Sequence, residues 1–480
     1  MDKLKNFFLK NTSNKQTAIK NTFWLFLGEG VGRVLKIFII VFATRKLGVE
    51  GWGIFSYALA FVSLFFIFGD LGINTFVTKE MSKDNANKYK YLATSTIVKI
   101  TILIILFLVA LLLAPIFGNI KLSFYMVFVL ATFLLSEAIR EFAMSVNRSL
   151  QKMETEGFSK ILINLLIACF GLILITRNAD PLSLAMAYMA ASLLATIYIL
   201  WAIKDELKKI EWRFSKESFR VIYNFSWPIV IISLFGFLFG IDTIMLGQMR
   251  SATEVGLYTT AQRLISFLAI VPGFIGISIF PILSRNENND EKLGGIFEKA
   301  MIIIMAVGIP MAVGGIIFSK EIVLLILGTR YIDTIPVFAV LMISILASFP
   351  NIFLTNLIFS KSLQRLFITV TSFGVFLNIA LNFWLIPKYG AFGAAISTTI
   401  AELIIMISSW NKLKKFLSFK VVPKLGKIIV ATAIMTIAIY LLNFTGINFL
   451  INILIAIFVY FFSLKIMKEE ALKSILIIKN

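Results

Sequence analysis

The chain has 480 residues, of which 59% are hydrophobic and 15% charged, and its formal net charge is +20. A soluble globular protein has about a quarter charged residues, so this composition indicates a membrane protein. There is no histidine and one cysteine, Cys169, which excludes an intrachain disulfide, a cysteine metal site, haem ligation by histidine and Ser–His–Asp chemistry.

Long apolar segments follow one another after a polar, Lys-rich stretch at residues 1–20. A membrane-spanning helix needs about 20 mostly apolar residues, whereas a barrel strand needs about 10 with alternating polarity. The segments therefore predict an all-α integral membrane protein with about 14 transmembrane helices. They lie at 21–44, 53–77, 91–117, 122–147, 158–176, 182–203, 221–247, 255–281, 296–318, 333–360, 364–387, 391–410, 425–444 and 447–467.

Lysine and arginine residues are distributed unevenly between the connections. If the N-terminus is cytoplasmic and the helices alternate in direction, most of the 46 basic residues fall in cytoplasmic connections, most densely at 204–220 and 411–427. This bias sets membrane orientation, so we expect a cell-membrane protein with both termini cytoplasmic. The positive charge then faces anionic membrane lipids, and no nucleic-acid partner is expected.

An internal repeat relates the two halves of the chain. Residues 147–152 (NRSLQK) match 360–365 (SKSLQR), and residues 53–58 (GIFSYA) match 256–261 (GLYTTA). Six helices in each half give both halves the same orientation, which predicts two parallel-repeat lobes around a central cleft. The predicted parts are a cytoplasmic segment at 1–20, an N-lobe at 21–203, a linker at 204–220, a C-lobe at 221–410, and helices 13 and 14 with a cytoplasmic tail at 411–480.

Three motifs near the N-terminus carry a family resemblance: 43–48 (ATRKLG), 50–58 (EGWGIFSYA) and 68–73 (FGDLGI). On these motifs the chain resembles the polysaccharide-export flippases of the Wzx or RfbX type. Their superfamily includes the MATE multidrug exporters and the lipid II flippase MurJ. The resemblance implies a cleft that opens alternately to each side. It also implies a polyprenyl-linked oligosaccharide as cargo, moved from the cytoplasmic to the outer leaflet for surface polysaccharide biosynthesis.

Helix one carries three charged residues on one face, Glu29, Arg33 and Lys36, at steps of four and three residues. Charges within a span are costly and usually face a cavity or a partner. One interpretation is a cationic patch in which Arg33 and Lys36 hold the pyrophosphate of the cargo. The other is a self-compensating Glu29–Arg33 ion pair with Lys36 reaching toward the interface.

Helix four carries Glu137, Arg140 and Glu141 on one face, and Asp70 lies near the inner end of helix two. Arg140 is a candidate substrate-binding residue, and Glu137, Glu141 and Asp70 are candidate ion-coupling residues. The helix-four group could equally form a structural ion network, and Asp70 could stabilise a turn. In the C-lobe, Arg263 is the residue that we expect to face the cleft.

No catalytic motif, P-loop or large outer connection is found, so we expect a transporter rather than an enzyme. No bound cofactor is expected, and an H⁺ or Na⁺ gradient is the candidate energy source. The expected partners are the lipid-linked oligosaccharide, membrane lipids, and glycosyltransferases and a polymerase of the same pathway. The alternatives are an ion-coupled exporter of drugs, and a membrane enzyme or assembly partner without transport.

Overall fold

A computed structural model describes residues 11–83, 87–116, 120 and 123–468, except the side chains of 14, 15, 116, 228–239, 271 and 277. Every regular element in these ranges is a helix, which confirms the all-α prediction. Part of the predicted N-terminal segment, residues 1–10, and the tail after residue 468 lie outside the described residues.

The chain divides into two compact units, Met1–Gly256 and Leu257–Asn480. The helices of the first unit are α1 (Asn14–Phe66), α2 (Ile73–Met81), α3 (Lys88–Leu113), α4 (Phe124–Ser149), α5 (Met153–Arg177), α6 (Pro181–Ala202), α7 (Lys204–Leu207), α8 (Lys216–Phe239), α9 (Ile241–Met249) and the beginning of α10 (Ala252–Leu268).

The second unit contains the rest of α10 and seven further helices. They are α11 (Ile270–Arg285), α12 (Asp290–Ile317), α13 (Ser319–Leu327), α14 (Thr334–Ser360), α15 (Gln364–Leu413), α16 (Gly426–Phe444) and α17 (Phe449–Ile466).

Two helices are much longer than a bilayer is thick. Helix α1 has 53 residues and α15 has 50, so each would extend about 75–80 Å at 1.5 Å per residue. Each bends at a glycine with positive φ, Gly48 (φ 71°) and Gly390 (φ 54°), a conformation that side chains disfavour. Both glycines fall between predicted spans, so each long helix joins two neighbouring apolar segments.

The number of spans depends on how these bent helices are counted. Within the described ranges, nine helices are long and apolar enough to cross a bilayer, or ten if the bent pair beginning at Ala252 is one span. Since α1 and α15 each join two predicted spans, the figure of fourteen stays a prediction, as does the cleft between two lobes.

Local sequence explains where several helices begin. The hydroxyl oxygen of Ser13 accepts a hydrogen bond from the backbone N–H of Gln16, and Ser123 caps α4 through Met126 in the same way. Asp180 caps α6, whose first residue is a proline. Such caps satisfy backbone donors that the first helical turn leaves without partners.

The predicted linker at 204–220 packs on the first unit. The Tyr89 hydroxyl on α3 donates to Glu206 (2.8 Å), and Lys209 Nζ donates to the other oxygen of the same carboxylate (2.9 Å). Partial burial alone would raise the pKa of Glu206, but these hydrogen bonds hold it below its ordinary value. Phe225 on α8 also contacts Phe76 on α2, so the compact unit continues beyond the linker to Gly256.

In the second unit, the last two helices pack against the helices that precede them. The Tyr460 hydroxyl on α17 donates to the carbonyl of Ala306 on α12 (2.5 Å). The Asn452 amide bridges α17 to Asn443 on α16 (2.8 Å). Helices α16 and α17 therefore form a hairpin fixed to this unit by a buried hydrogen bond.

Candidate functional site

Helices α1 and α5 run parallel and approach closely through glycines. A Cβ atom at Gly28 would lie 2.7 Å from the Cα of Gly157, and one at Gly32 would lie 2.9 Å from Nδ2 of Asn164. Glycines permit this approach because they present no side chain at the contact. As a result, the charged residues beside these glycines reach across from one helix to the other.

A row of ion pairs begins at Arg33 on α1. Its Nε lies 2.7 Å from Glu29, whose other oxygen lies 3.5 Å from Nζ of Lys160 on α5. Lys160 also contacts Glu156, one turn earlier on α5, at 3.3 Å. The Arg33 side chain is 42% exposed and Glu156 only 1%, so the row leads from an open end into the protein.

The row continues through the last turns of α4. Arg148 binds Glu156 with two hydrogen bonds of 2.7 and 2.8 Å and contacts Glu141 at 3.4 Å. Arg140 lies 3.9 Å from Glu141 and binds both oxygens of Glu137 at 2.8 Å. The helix-four charges are therefore continuous with those of helix one.

We call these eight residues the ion network. Four carboxylates alternate with four cations, so its net charge is zero and each buried charge has a counter-ion. Such pairing offsets part of the desolvation cost of charges in an apolar surrounding. The ion network consists of Arg33, Glu29, Lys160, Glu156, Arg148, Glu141, Arg140 and Glu137.

The predicted helix two is interrupted at Asp70. A short 3-10 turn follows α1, and then Leu71 (φ 46°) and Gly72 (φ 81°) both adopt positive φ before α2 begins. The Asp70 carboxylate accepts a hydrogen bond from the N–H of Asn74 (3.1 Å) and pairs with Lys99 on α3 (3.2 Å). The sequence predicted a continuous helix because 53–77 is apolar almost throughout, and the break depends on these two backbone conformations.

A polar pocket of about 610 Å³ opens beside this break. It brings together Asp70 and two members of the ion network, Glu141 and Arg148. It lies at the end of the first unit where α4 ends and α5 begins. We call it the polar pocket; its lining residues are Asp70, Asn74, Thr75, Thr78, Lys79, Ser82, Glu141, Arg148, Ser149 and Gln151.

Two predicted site residues stand apart from the ion pairs described above. Lys36 is exposed on α1, less than one turn after Arg33. Arg263 is half-buried on α10 in the second unit, and it forms no ion pair with any residue that the structure describes. The assignment of either residue to cargo binding remains a prediction.

Three residues of the ion network were not among the sequence-predicted site residues: Arg148, Glu156 and Lys160. The predicted helix five begins at residue 158, whereas α5 begins at Met153. A useful signal was present, because Glu156 and Lys160 are spaced i, i+4, the arrangement of an ion pair on a helix.

The second unit contains a cavity of different character, about 450 Å³ in volume. Side chains from α10, α12, α13, α14, α16 and α17 surround it, and they are almost all apolar, including Phe267, Met311, Met342 and Phe461. We call it the apolar cavity.

Proteins similar to this chain include a glycan biosynthesis flippase and an O-antigen transporter. A probable low-salt glycan biosynthesis flippase of Haloferax volcanii is 25% identical over 445 residues, covering 90% of this chain and 92% of the relative. A putative O-antigen transporter of Shigella flexneri is 22% identical over 81% of this chain and 96% of its own length.

Among solved structures, the lipid II flippase MurJ in an inward closed conformation superposes with a TM-score of 0.78. The match covers 95% of this chain and 100% of that one at 17% identity, so it shows the shared fold. These similar proteins are named as transporters and flippases, and the long apolar helices show that this chain is a multi-pass membrane protein.

The family model described as polysaccharide biosynthesis protein matches residues 18–287, more than half of the chain. The matched region contains all but the first residues of α1, the whole of α2 to α11, the ion network and the polar pocket. The chain therefore belongs to the polysaccharide biosynthesis protein family.

Proposed function

We propose that the protein flips a polyprenyl-pyrophosphate-linked oligosaccharide from the cytoplasmic to the outer leaflet by alternating access, for surface polysaccharide biosynthesis. The observation that carries the proposal is the open end of the ion network, where Arg33 is half-exposed and Lys36 follows on α1. A guanidinium binds phosphate oxygens with two parallel hydrogen bonds. The relatives' names, a glycan biosynthesis flippase and an O-antigen transporter, support the cargo class.

The sharing of Glu29 explains how Arg33 can exchange partners. Glu29 contacts Arg33 through one oxygen and Lys160 through the other. When a pyrophosphate replaces Glu29 at Arg33, Glu29 keeps Lys160 as its counter-ion. No carboxylate is then left unpaired, and the exchange avoids the cost of an isolated charge.

Energy for transport is proposed to come from an H⁺ or Na⁺ gradient. The sequence has no P-loop, and Glu29, Glu137, Glu141 and Asp70 are the candidate coupling carboxylates. We further propose the cytoplasmic membrane as the location, with both termini inside. Glycosyltransferases and a polymerase would then act on the two sides of the flipping step.

The alternative function, an ion-coupled drug exporter, predicts a carboxylate in helix one that is available to a cationic substrate. Glu29 is instead engaged by Arg33 and Lys160. Both side chains are about two-fifths exposed, but Glu29 is shared by two cations whereas Arg33 has one carboxylate partner in the ion network, and this difference favours an anionic cargo.

Flipping can be tested in proteoliposomes that hold a polyprenyl-pyrophosphate oligosaccharide in both leaflets. A membrane-impermeant glycan-cleaving enzyme outside reports the fraction of cargo that reaches the outer leaflet. The wild type should expose the inner-leaflet fraction. Arg33→Ala with Lys36→Ala should slow this exposure at least about tenfold, because each charge-assisted hydrogen bond contributes roughly 1.5–3 kcal/mol.

The matched control removes two exposed cations elsewhere, Lys90→Ala with Lys208→Ala, whose ion pairs lie at the surface. This control should flip at the wild-type rate. Cargo that stays protected with the wild type, together with gradient-driven efflux of a cationic dye, would refute the flippase and support the drug exporter. Equal flipping by Arg33→Ala/Lys36→Ala would remove these residues from the mechanism.

A further inference from the structure

The charges around the polar pocket balance one another. Asp70 and Glu141 contribute two carboxylates, and Lys79 and Arg148 contribute two cations. A pyrophosphate in this pocket would meet no net positive charge to hold it. A neutral ligand with many hydrogen-bonding groups needs none.

The pocket is larger than an enclosure for an ion alone would be. Metal cations such as Ca²⁺ are held by oxygen atoms at roughly 2.3–2.6 Å, which requires a small enclosure. The polar pocket has a volume of about 610 Å³. This volume lies within the range of roughly 300–1,000 Å³ that is typical of sites for small organic molecules.

Several lining groups are open to a ligand. The side chains of Thr75 and Gln151 are exposed and make no hydrogen bond to any described residue. The Asp70 and Glu141 side chains are about two-fifths exposed. Hydroxyl, amide and carboxylate groups together supply the donors and acceptors that sugar hydroxyls need.

The interrupted helix fixes one wall of the pocket. Lys99 is not one of the lining residues, and its side chain is 3% exposed. Its Nζ donates hydrogen bonds to the Asp70 carboxylate and to the side-chain oxygen of Asn74, both at 3.2 Å. Positive φ at Leu71 costs free energy, and such strain persists where the surrounding structure enforces it. Interrupted helices in transporters also commonly mark binding sites, because freed backbone groups must line a cavity.

We propose that the polar pocket binds sugar residues of the cargo glycan, an inference that rests on the proposed flippase function. Arg33 and Lys36 hold the pyrophosphate, and the neutral pocket receives hydroxyl groups of the attached glycan. Glu141 and Arg148 belong to both the pocket and the ion network, so one row of ion pairs connects the proposed pyrophosphate site to the proposed sugar site.

The test compares two kinds of probe on the purified full-length protein in nanodiscs. One is farnesyl pyrophosphate, and the other is a panel of farnesyl pyrophosphates that each carry glucose, galactose, mannose or N-acetylglucosamine. At least one sugar should tighten binding by about tenfold. Thr75→Val should reduce that gain about three- to tenfold, as expected for one lost hydrogen bond, without changing the affinity for farnesyl pyrophosphate.

Thr176→Val is the matched control, because Thr176 is an exposed threonine on α5 whose hydroxyl bonds only to its own helix. Glu141→Gln is a second, isosteric pocket variant that should also reduce the sugar-dependent gain. The sugar assignment is refuted if no sugar tightens binding, or if both pocket variants keep the full gain. The pocket would instead be an ion site if the wild type melts at a higher temperature in NaCl than in choline chloride and Asp70→Asn removes this difference.

Failure of the wider function has a different signature. Arg33→Ala should weaken the binding of farnesyl pyrophosphate with and without sugar to the same extent. If the wild type binds neither kind of probe, the proposed function fails, and the sugar site fails with it. If the wild type binds farnesyl pyrophosphate with the same affinity with and without sugar, the sugar site is wrong but the proposed function is not.

Discussion

The two compact units contain cavities of similar size and opposite chemistry. The polar pocket of the first unit, about 610 Å³, is lined by charged, amide and hydroxyl side chains. The apolar cavity of the second unit, about 450 Å³, is lined almost entirely by aliphatic, aromatic and methionine side chains. The two units therefore offer different environments, one suited to a polar ligand and one to an apolar ligand.

One pair of matched positions in the predicted sequence repeat illustrates the difference. Arg148 in the first copy of the motif and Lys361 in the second occupy matching positions. Arg148 binds the buried Glu156 and is part of the ion network. Lys361 pairs with Asp290, whose side chain is mostly exposed. The matched cations therefore differ in their partners: Arg148 binds a buried carboxylate in one unit, and Lys361 binds an exposed carboxylate in the other.

The largest effect is expected from removing the buried carboxylate that joins the two parts of the ion network. Glu156→Ala leaves Arg148 and Lys160 without their shared counter-ion. Breaking a fully buried pair from one side costs roughly 3–5 kcal/mol. Arg148 and Lys160 are partly exposed and keep Glu141 at 3.4 Å and Glu29 at 3.5 Å, so we expect the lower end of this range, about 3 kcal/mol. Unfolding of the purified protein, followed by heat or denaturant in one detergent, would measure this loss.

The control for Glu156 is Glu217→Ala. Glu217 also pairs with a lysine, Lys90 at 3.0 Å, but its side chain is 82% exposed. An exposed pair contributes about 0–1 kcal/mol, so this variant should unfold close to the wild type. Equal losses in the two variants would mean that the buried network contributes no more than a surface pair.

Much of the helix pattern could be predicted from apolar segment lengths alone. The bends at Gly48 and Gly390 fall between predicted spans, because short polar or glycine-containing stretches interrupt the apolar runs there. The break at Asp70 could not be predicted in the same way. Residues 53–77 are apolar on both sides of it, and a positive φ at a leucine such as Leu71 is not indicated by the residue type.

The candidate site was predictable only within single helices. The spacing of Glu29 and Arg33 predicts an ion pair, and that pair is present at 2.7 Å. Contacts between helices depend on which faces meet, which no local spacing reveals. The sequence therefore did not indicate that Lys160 reaches Glu29 or that Asp70 shares a pocket with Glu141.

The contrast between the cavities can be tested by placing the same carboxylate in each. Gly314 lines the apolar cavity, and a Cβ atom at this position would have no atom within 4 Å. An aspartate at the centre of a span costs roughly 2.5–3.5 kcal/mol. Because Gly314 lies three residues before the end of α12, Gly314→Asp should cost somewhat less, about 2 kcal/mol. Thr75→Asp in the polar pocket should change stability by less than about 0.5 kcal/mol, aided by Lys79 four residues later.

Thermal unfolding of both variants in nanodiscs of one lipid composition would measure this difference. A tolerated aspartate at Gly314 would show that water reaches the apolar cavity, and the proposed division between a polar and an apolar unit would fail. A large loss at Thr75 would show that the polar pocket is closed to added charge.

The smallest effect concerns the glycine contact that brings the ion network together, and two glycines of α1 provide a matched pair. A Cβ at Gly28 would lie 2.7 Å from the Cα of Gly157, whereas a Cβ at Gly30 would meet nothing within 4 Å. Gly28→Ala should cost roughly 1–3 kcal/mol, because the backbones of two helices must separate. Gly30→Ala should stabilise the protein by up to about 1 kcal/mol, because alanine favours helix more than glycine does.

Because Lys160 reaches Glu29 across this contact at 3.5 Å, Gly28→Ala should also slow flipping, while Gly30→Ala should leave it unchanged. If the two variants behave alike in both unfolding and flipping, the close approach of α1 and α5 is not needed for the ion network. The long side chains would then bring the charges together without it.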